Sequence, residues 1–113
     1  MVSKIENRKR EFKIQNKIIN DSEFYFIAEI GHNHQGNIKK AFELIKKAKE
    51  AGVNAVKLQK RDNKNLYTKK FFNEKYNNVN SYGETYGLHR EALEFGKNEY
   101  KELQSYAQEI NID

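Results

Sequence analysis

The segment Ile27-Ala28-Glu29-Ile30-Gly31-His32-Asn33-His34-Gln35-Gly36 joins an apolar run to a polar turn that is flanked by glycines. The apolar run, Phe24 to Ala28, ends in the carboxylate of Glu29, and a helical repeat of apolar residues begins at Ile38. Near-continuous apolar runs are typical of parallel strands that are covered on both faces. The order predicts a buried strand, a polar loop and a helix. Glu29 then lies at the carboxyl end of the strand, where α/β folds place their chemistry.

A second short strand, Ala55 to Gln59, also carries polar residues among apolar ones. Because side chains alternate between the faces of a strand, Lys57 and Gln59 share one face. If both strands pack under one crossover helix, Glu29, Lys57 and Gln59 face a common pocket. In the alternative, Lys57 extends from the strand end into solvent and Gln59 is hydrated, since unpaired charges are costly to bury. Spacing alone leaves both interpretations open.

Between the two strands, the sequence predicts a helix from about Asn37 to Ala51. Asn37 is a suitable N-cap, and Gly52 is a suitable residue to end the helix in a left-handed conformation. Strand, helix and strand together form a βαβ unit, whose crossover should be right-handed. One apolar stripe recurs at helical spacing and consists of Ile38, Ala41, Phe42, Ile45 and Ala48.

The residues before the first strand divide into a leader and a small hairpin. Met1 to Glu11 is basic and is predicted to be a mobile leader, with residues 12–113 forming the folded region. Two short alternating pieces, Phe12 to Ile14 and Lys17 to Ile19, are separated by the two residues Gln15-Asn16. This spacing predicts a β-hairpin.

The second half of the chain has a weaker pattern. From Lys60 to Arg90 the sequence is polar and rich in Asn, Lys and Tyr, which predicts a long loop and a possible wall for a substrate site. Arg90 to Phe95 is compatible with a short helical turn. A second helix is predicted from near Lys97, with an apolar face at helical spacing that consists of Tyr100, Leu103, Ala107 and Ile110. A third strand is expected at the end of the chain, around Asn111 to Asp113.

Composition restricts the class of protein. The 113 residues carry a formal charge of +5 and contain no cysteine, so disulfides and cysteine-ligated zinc are excluded. No run of about 18 apolar residues is present, which argues against a membrane span. Mild basicity is compatible with a non-enzymatic αβ module that binds nucleic acid or a partner protein. The lysines are spread over helix faces, however, a distribution more typical of a solvated surface than of a nucleic-acid stripe.

Two ordered motifs, Ile27 to Gly36 and Ala51 to Gln59, strongly resemble the beginning of the sialic acid synthase family, also called N-acetylneuraminate synthases, which includes spore-coat polysaccharide biosynthesis relatives. The resemblance extends from roughly Phe12 to the end of the chain. It implies an α/β fold consisting of the first two βα units of a TIM (β/α)8 barrel with a leading β-hairpin. With two of eight strands, the expected structure is an incomplete barrel. We therefore expect the isolated chain to be inactive.

The resemblance also implies a reaction and its residues. Members of the family condense phosphoenolpyruvate with N-acetylmannosamine or a related amino sugar in carbohydrate biosynthesis. Glu29 matches the catalytic strand-end glutamate, Lys57 the lysine that contacts phosphoenolpyruvate, and Gln59 a neighbouring ligand-contacting amide. The alternative for Glu29 is a structural carboxylate at a helix terminus or strand end that pairs with Lys57. Asn33 is predicted to be a further substrate-binding amide, with a loop-ordering role as the alternative. The family further implies a homodimer. The absence of cysteine is compatible with the reducing cytoplasm, and a cytoplasmic location is expected.

A divalent metal ion, Mn2+ or Mg2+, is implied for the family, and its ligands are expected to lie beyond Asp113. His32 and His34 stand at i and i+2 and invite comparison with a metal site. The family pattern argues against that role. His34 belongs to the Asn-His pair of the motif and is expected to order the loop by hydrogen bonding. His32 occupies a position where the family more often has an apolar residue.

Overall fold

A computed structural model describes residues 9–113 of the chain. The predicted leader therefore lies largely outside the described residues, although Glu11, which was assigned to it, already belongs to the first strand. The elements, in chain order, are β1 (Glu11–Ile14), β2 (Lys17–Asn20), β3 (Ile27–Gly31), α1 (Ile38–Glu50), β4 (Ala55–Leu58), α2 (Asn63–Leu66), α3 (Lys69–Phe72), α4 (Tyr86–Ala92) and α5 (Lys97–Glu109).

Strands β1 and β2 form the predicted hairpin. They pair antiparallel, with Phe12 opposite Ile19 and Ile14 opposite Lys17. The turn between them places Gln15 in the left-handed region, at a φ of 50°. The tip of the hairpin and the end of α5 line a cavity of about 640 Å³ that also includes Asp113. The tip of the hairpin thus faces the last residues of the chain across this cavity.

Strands β3 and β4 pair parallel and place Glu29 directly opposite Lys57. The sheet is covered on one face only, so the prediction that the run from Phe24 to Ala28 is a buried strand is wrong. The strand begins at Ile27, and the side chains of Phe24 and Phe26 are 78% and 61% exposed. Alternate residues point away from the helices, and among residues 9–113 nothing covers them.

Helix α1 connects the two strands and is capped as predicted. The side-chain oxygen of Asn37 accepts hydrogen bonds from the backbone N–H groups of Lys39 and Lys40. At the other end, Gly52 has a φ of 86°, and the N–H of Val53 donates to the carbonyl of Ala48. These contacts fix the length of the helix and return the chain to the sheet.

The core lies between the covered face of the sheet, α1 and α5. The predicted second helix is confirmed as α5, whose first turn is held by Glu99, because its carboxylate accepts from the N–H of Gly96. The residues predicted for its apolar face, including Leu103 and Tyr100, pack into this core. The buried members of the core are Ile30, Ala41, Ile45, Phe95, Leu103 and Ile112.

The prediction of a long loop from Lys60 to Arg90 is wrong in part, since this segment contains α2, α3 and the beginning of α4. Two of these helices are only four residues long, too short to produce a periodic pattern. Each begins with a side-chain cap, from Asp62, Thr68 and Thr85 in turn. An isolated antiparallel bridge between Lys75 and Thr85 closes the stretch that joins α3 to α4.

The chain ends against the free edge of β4. The N–H of Asp113 donates to the carbonyl of Asn54, and the N–H of Val56 donates to the carbonyl of Asp113. This pair of bonds is the pattern of a parallel strand that begins at Asp113, where a third strand was expected. Within the described residues, every helix is too short or too polar to cross a membrane.

Candidate functional site

The two charged residues at the ends of the parallel strands contact each other. Lys57 Nζ lies 3.0 Å from Glu29 Oε1, across the register of β3 and β4. Both side chains are more than half exposed, at 57% and 60%. An ion pair this exposed contributes at most about 1 kcal/mol to folding, so stability alone does not require it. The pair lies on the open face of the sheet, where it is accessible to a ligand.

Gln59 follows β4 and is tied to the next turn rather than to the ion pair. Its side-chain oxygen accepts a hydrogen bond of 2.8 Å from Arg61 Nη2, and its backbone carbonyl accepts one of 2.7 Å from the hydroxyl of Tyr100. The side chain is half-buried. Gln59 therefore links the end of the strand to Arg61, a residue that the motifs did not indicate.

Asn33 lies apart from the other predicted site residues. Its amide nitrogen donates to the carbonyl of Ile30 at 2.8 Å, closing the loop after β3. The cavity that Asn33 lines is formed with α1 and contains none of Glu29, Lys57 or Gln59. This geometry favours the loop-ordering role over direct substrate contact. Substrate binding by Asn33 stays a prediction.

Glu94 is the centre of a buried network that sequence reasoning missed. Its side chain is only 8% exposed, and its Oε2 accepts hydrogen bonds from Lys60 Nζ at 2.8 Å and from the backbone N–H of Arg61 at 3.2 Å. Burial acts to raise the pKa of Glu94, but the Lys60 and Arg61 hydrogen bonds outweigh it and lower the pKa. Glu94 thus stays ionised and anchors the turn that follows β4.

The two histidines of the first motif have structural surroundings. His34 is fully buried and stacked on Phe95 at 3.9 Å between ring centroids, and its Nδ1 accepts from the N–H of Gly36. This confirms the loop-ordering role predicted for His34. His32 Nε2 lies 2.8 Å from Glu94 Oε1. Burial lowers the pKa of both imidazoles, so both favour the neutral form.

The side chains of this region do not fit a divalent metal site. Among residues 9–113, no group of three or more His, Asp or Glu side chains converges on one point. His34 already uses Nδ1 for the loop, and the His32 and His34 rings meet edge to face at 5.8 Å rather than sharing a ligand position. The described part of the chain therefore offers no cage for Mn2+ or Mg2+.

An aromatic cluster with a second arginine lies beside the turn after β4. Tyr86 packs against Tyr67, Phe71 and Tyr76, and its hydroxyl accepts a hydrogen bond of 3.0 Å from Arg90 Nε. The Arg90 guanidinium carbon lies 5.2 Å from the centroid of the Tyr86 ring, a cation–π distance. The cluster is built from the segment that had been predicted to be a loop.

The sequence of the chain is similar to that of known sialic acid synthases. The profile of the NeuB family matches residues 44–113, which is more than half of the chain. The chain is 48% identical over 88 residues to N-acetylneuraminate-9-phosphate synthase of Mus musculus, and 44% identical over 89 residues to the protein of the same name from Drosophila melanogaster. Spore coat polysaccharide biosynthesis protein SpsE of Bacillus subtilis is 44% identical over 59 residues, 51% of this chain and 16% of SpsE.

The chain is much shorter than these relatives. The match covers 78% of this chain but 24% of the mouse protein, and 79% of this chain but 24% of the fly protein. Among solved structures, the chain resembles the N-acetylneuraminic acid synthetase of Leptospira borgpetersenii, with a TM-score of 0.67 and 28% identity. That match covers 92% of this chain and 32% of the Leptospira chain. The described fold is therefore similar to about a third of a larger structure.

Proposed function

This chain belongs to the NeuB family of sialic acid synthases, and we propose that it supplies the part of the active site that carries Glu29, Lys57 and Gln59. The complete reaction would condense phosphoenolpyruvate with N-acetylmannosamine or a related amino sugar. A carbon–carbon bond forms between the methylene carbon of phosphoenolpyruvate and the aldehyde carbon, water adds to the enol carbon, and inorganic phosphate leaves. A divalent metal ion bound by residues outside this chain would polarise the aldehyde.

The observation that carries the proposal is the open Glu29–Lys57 pair. Its Nζ–Oε1 distance of 3.0 Å places a cation and a carboxylate side by side at the carboxyl ends of two parallel strands. An ammonium group attracts the carboxylate or phosphate of phosphoenolpyruvate. A carboxylate can stabilise a developing cationic centre or accept a proton. The same two side chains thus meet both electrostatic needs of the condensation.

The surrounding barrel is part of the same proposal. The parallel register of β3 and β4, the bridge at Asp113 and the likeness to the Leptospira synthetase support an assignment as the first two βα units of a TIM barrel. The exposed face that bears Glu29 and Lys57 would then point into the barrel. In that setting the exposed side chains of β3 would be covered by further strands. A homodimer, expected from the family, and a cytoplasmic location, with which the absence of cysteine is compatible, belong to this proposal.

The proposal is tested in a chimera in which residues of this chain replace the matching segment of the complete mouse synthase. Lys57→Met should weaken the affinity for phosphoenolpyruvate at least tenfold, because a charge-assisted contact is lost. Lys47→Met is the matched control, since Lys47 also pairs with a glutamate but lies on the outer face of α1. Equal affinities in the two variants would contradict the role of Lys57. A loss of thermal stability with unchanged affinity would make it a counter-ion of Glu29 only.

A further inference from the structure

Arg61 presents a guanidinium group that has no carboxylate partner among residues 9–113. Its Nη2 donates to Gln59 Oε1 at 2.8 Å, and its Nη1 makes a long contact of 3.4 Å with the hydroxyl of Tyr67. The residue is half-buried. Both partners are neutral, so the positive charge is positioned but not compensated.

Arg90, on α4, also presents a guanidinium group without a carboxylate partner among residues 9–113. It is half-buried, its Nε donates to the hydroxyl of Tyr86 at 3.0 Å, and its charge lies over the Tyr86 ring. The described residues provide no carboxylate within ion-pair distance of this guanidinium either. Tyr67 and Tyr86, the two tyrosines that hold the arginines, contact each other edge to face at 5.3 Å between centroids. The two guanidinium groups therefore flank one pair of rings.

Three acidic residues in this region bind groups other than the two guanidinium groups. Glu94 binds Lys60 and the backbone of Arg61, Glu91 Oε1 accepts from Asn63 Nδ2, and Asp62 caps α2 through Asn65. Among residues 9–113, none of these carboxylates forms an ion pair with the guanidinium group of Arg61 or Arg90. Partly buried cations without a counter-ion are costly, which favours an anion as the missing partner.

The charges of Arg61 and Arg90 act on the pKa values of neighbouring ionisable groups. Burial acts to raise the pKa of Tyr86, but hydrogen bonds from Arg90 and Tyr67, with the charges of Arg90 and Arg61, lower it overall. The pKa of His32 is lowered by burial first and also by Arg61 and Arg90, against the opposing charge of Glu94. The pKa of His89 is lowered by burial and then by Arg90. Both arginine charges thus reach the same small region.

We infer that Arg61 and Arg90 form a binding site for a phosphate monoester at the carboxyl end of β4. A guanidinium group presents N–H donors in a planar fork that matches phosphate oxygens, and most of these donors are unpaired here. The link from Arg61 to Gln59 joins the site to the face that bears Lys57. The identity of the ligand rests on the proposed function, whereas the existence of the site rests on the arginine geometry alone.

Two substrates of the proposed reaction could supply the phosphate. One is phosphoenolpyruvate itself. The other is an amino sugar phosphorylated at carbon 6, because phosphoenolpyruvate contributes three carbons and carbon 6 of the sugar then becomes carbon 9 of the product. The mouse and fly relatives are named for a 9-phosphate product. A site for the sugar phosphate would make this chain selective for the phosphorylated sugar.

The test is calorimetric titration of the 113-residue chain with N-acetylmannosamine 6-phosphate, N-acetylmannosamine and phosphoenolpyruvate, at a temperature below its thermal transition where circular dichroism shows the helices and strands to be formed. We expect at least one phosphorylated ligand to bind, and Arg61→Gln and Arg90→Gln each to weaken it about tenfold or more. Arg61→Lys and Arg90→Lys keep the charge and stem, and should also weaken binding because the planar fork is lost. The ligand that responds identifies the source of the phosphate.

Arg10→Gln provides the control for general charge, because Arg10 is an exposed arginine that pairs with Asp21 far along the chain from this site. Its affinity should match that of the unsubstituted chain. Absence of binding by both phosphorylated ligands, or an equal loss in Arg10→Gln, would overturn the inference. Turnover by the chimera would still test the proposed function separately, so the two failures can be told apart.

Discussion

The buried carboxylate of Glu94 connects the turn after β4 with the loop after β3. It holds Lys60 and the Arg61 backbone after β4, and it contacts His32 in the loop after β3. Position along the chain conceals this role, because Glu94 lies 33 residues beyond Arg61 in a segment with no recognised motif. The network thus provides the contact between the two strand-end loops.

We expect Glu94→Gln to lower the free energy of unfolding by about 1–3 kcal/mol, because a buried amide replaces an ionised acceptor of two hydrogen bonds. Urea denaturation followed by circular dichroism measures the change. Glu50→Gln is the control, since Glu50 is an exposed partner of Lys47 and its loss should leave the midpoint unchanged. A midpoint for Glu94→Gln that equals the control would show that the network adds no stability.

The sequence allowed part of the site to be predicted at this scale. Strand alternation predicted that Glu29, Lys57 and Gln59 face a common pocket if both strands pack under one helix. The structure brings Glu29 and Lys57 into contact, whereas the side chain of Gln59 binds Arg61. Arg61 could not be found in this way, because its importance comes from a partner that it lacks and from a tyrosine brought near by tertiary folding. The sequence allows the His89-Arg90 pair to be an anion contact but favours an exposed loop pair, whereas both residues lie on α4 and are buried or half-buried. The sequence shows that Arg61 is charged, but whether an arginine has a partner is visible only in the folded structure.

Among the secondary-structure elements, the turn from β3 into α1 depends on the close approach of Gly36 to α4. Gly36 has a φ of 72°, and a Cβ atom added to it would lie 2.3 Å from the carbonyl oxygen of Ala92. Gly52 also has a positive φ, of 86°, but an added Cβ atom there meets no atom within 4 Å. Substitution of Gly52 therefore introduces backbone strain alone, whereas substitution of Gly36 introduces backbone strain and steric overlap.

Gly36→Ala should destabilise the chain more than Gly52→Ala does. Both changes place alanine in the left-handed region, at a cost of about 1–2 kcal/mol, but only the first also displaces α4. Chemical denaturation of the two variants gives the comparison, with the unsubstituted chain as reference. Equal losses would mean that the loop and α4 separate at little cost.

Long elements with caps were predictable, and short ones were not. The stripe and the Asn37 cap predicted α1, and the Tyr100 and Leu103 spacing predicted α5. Helices α2 and α3 lack a periodic apolar stripe, so their capping residues Asp62 and Thr68 are the only sequence features that indicate them. The predicted start of β3 is wrong because an apolar run does not by itself imply burial on both faces. The strand begins at Ile27, and Phe24 and Phe26 before it are exposed.

For the molecule as a whole, the small core limits the stability of the isolated chain. One face of the β3–β4 sheet packs on helices, while Phe24, Phe26 and Ile27 stay exposed on or before β3. Burial of a few apolar side chains offsets little of the conformational entropy, about 1–2 kcal/mol for each ordered residue. The exposed apolar side chains and open strand edges also favour association.

We therefore expect the purified 113-residue chain to show weak amide protection, a broad thermal transition or self-association, and no turnover. Hydrogen exchange, scanning calorimetry and sedimentation measure these properties. An assay with phosphoenolpyruvate, manganese and N-acetylmannosamine, or its 6-phosphate, measures turnover. A sharp cooperative transition of a monomer would show that this core is sufficient, and phosphate release above the blank would show that the chain is itself an enzyme.

The most direct test of the central claim is the turnover of the mouse chimera with and without Glu29→Gln. The account predicts that the chimera releases phosphate in the presence of both substrates. Glu29→Gln should reduce the rate by about 10²–10⁴-fold while leaving the melting temperature nearly unchanged, because a positioned acid–base group is lost from an exposed strand end. Wild-type turnover in the Glu29→Gln chimera, or a stably folded chimera without turnover, would contradict the account.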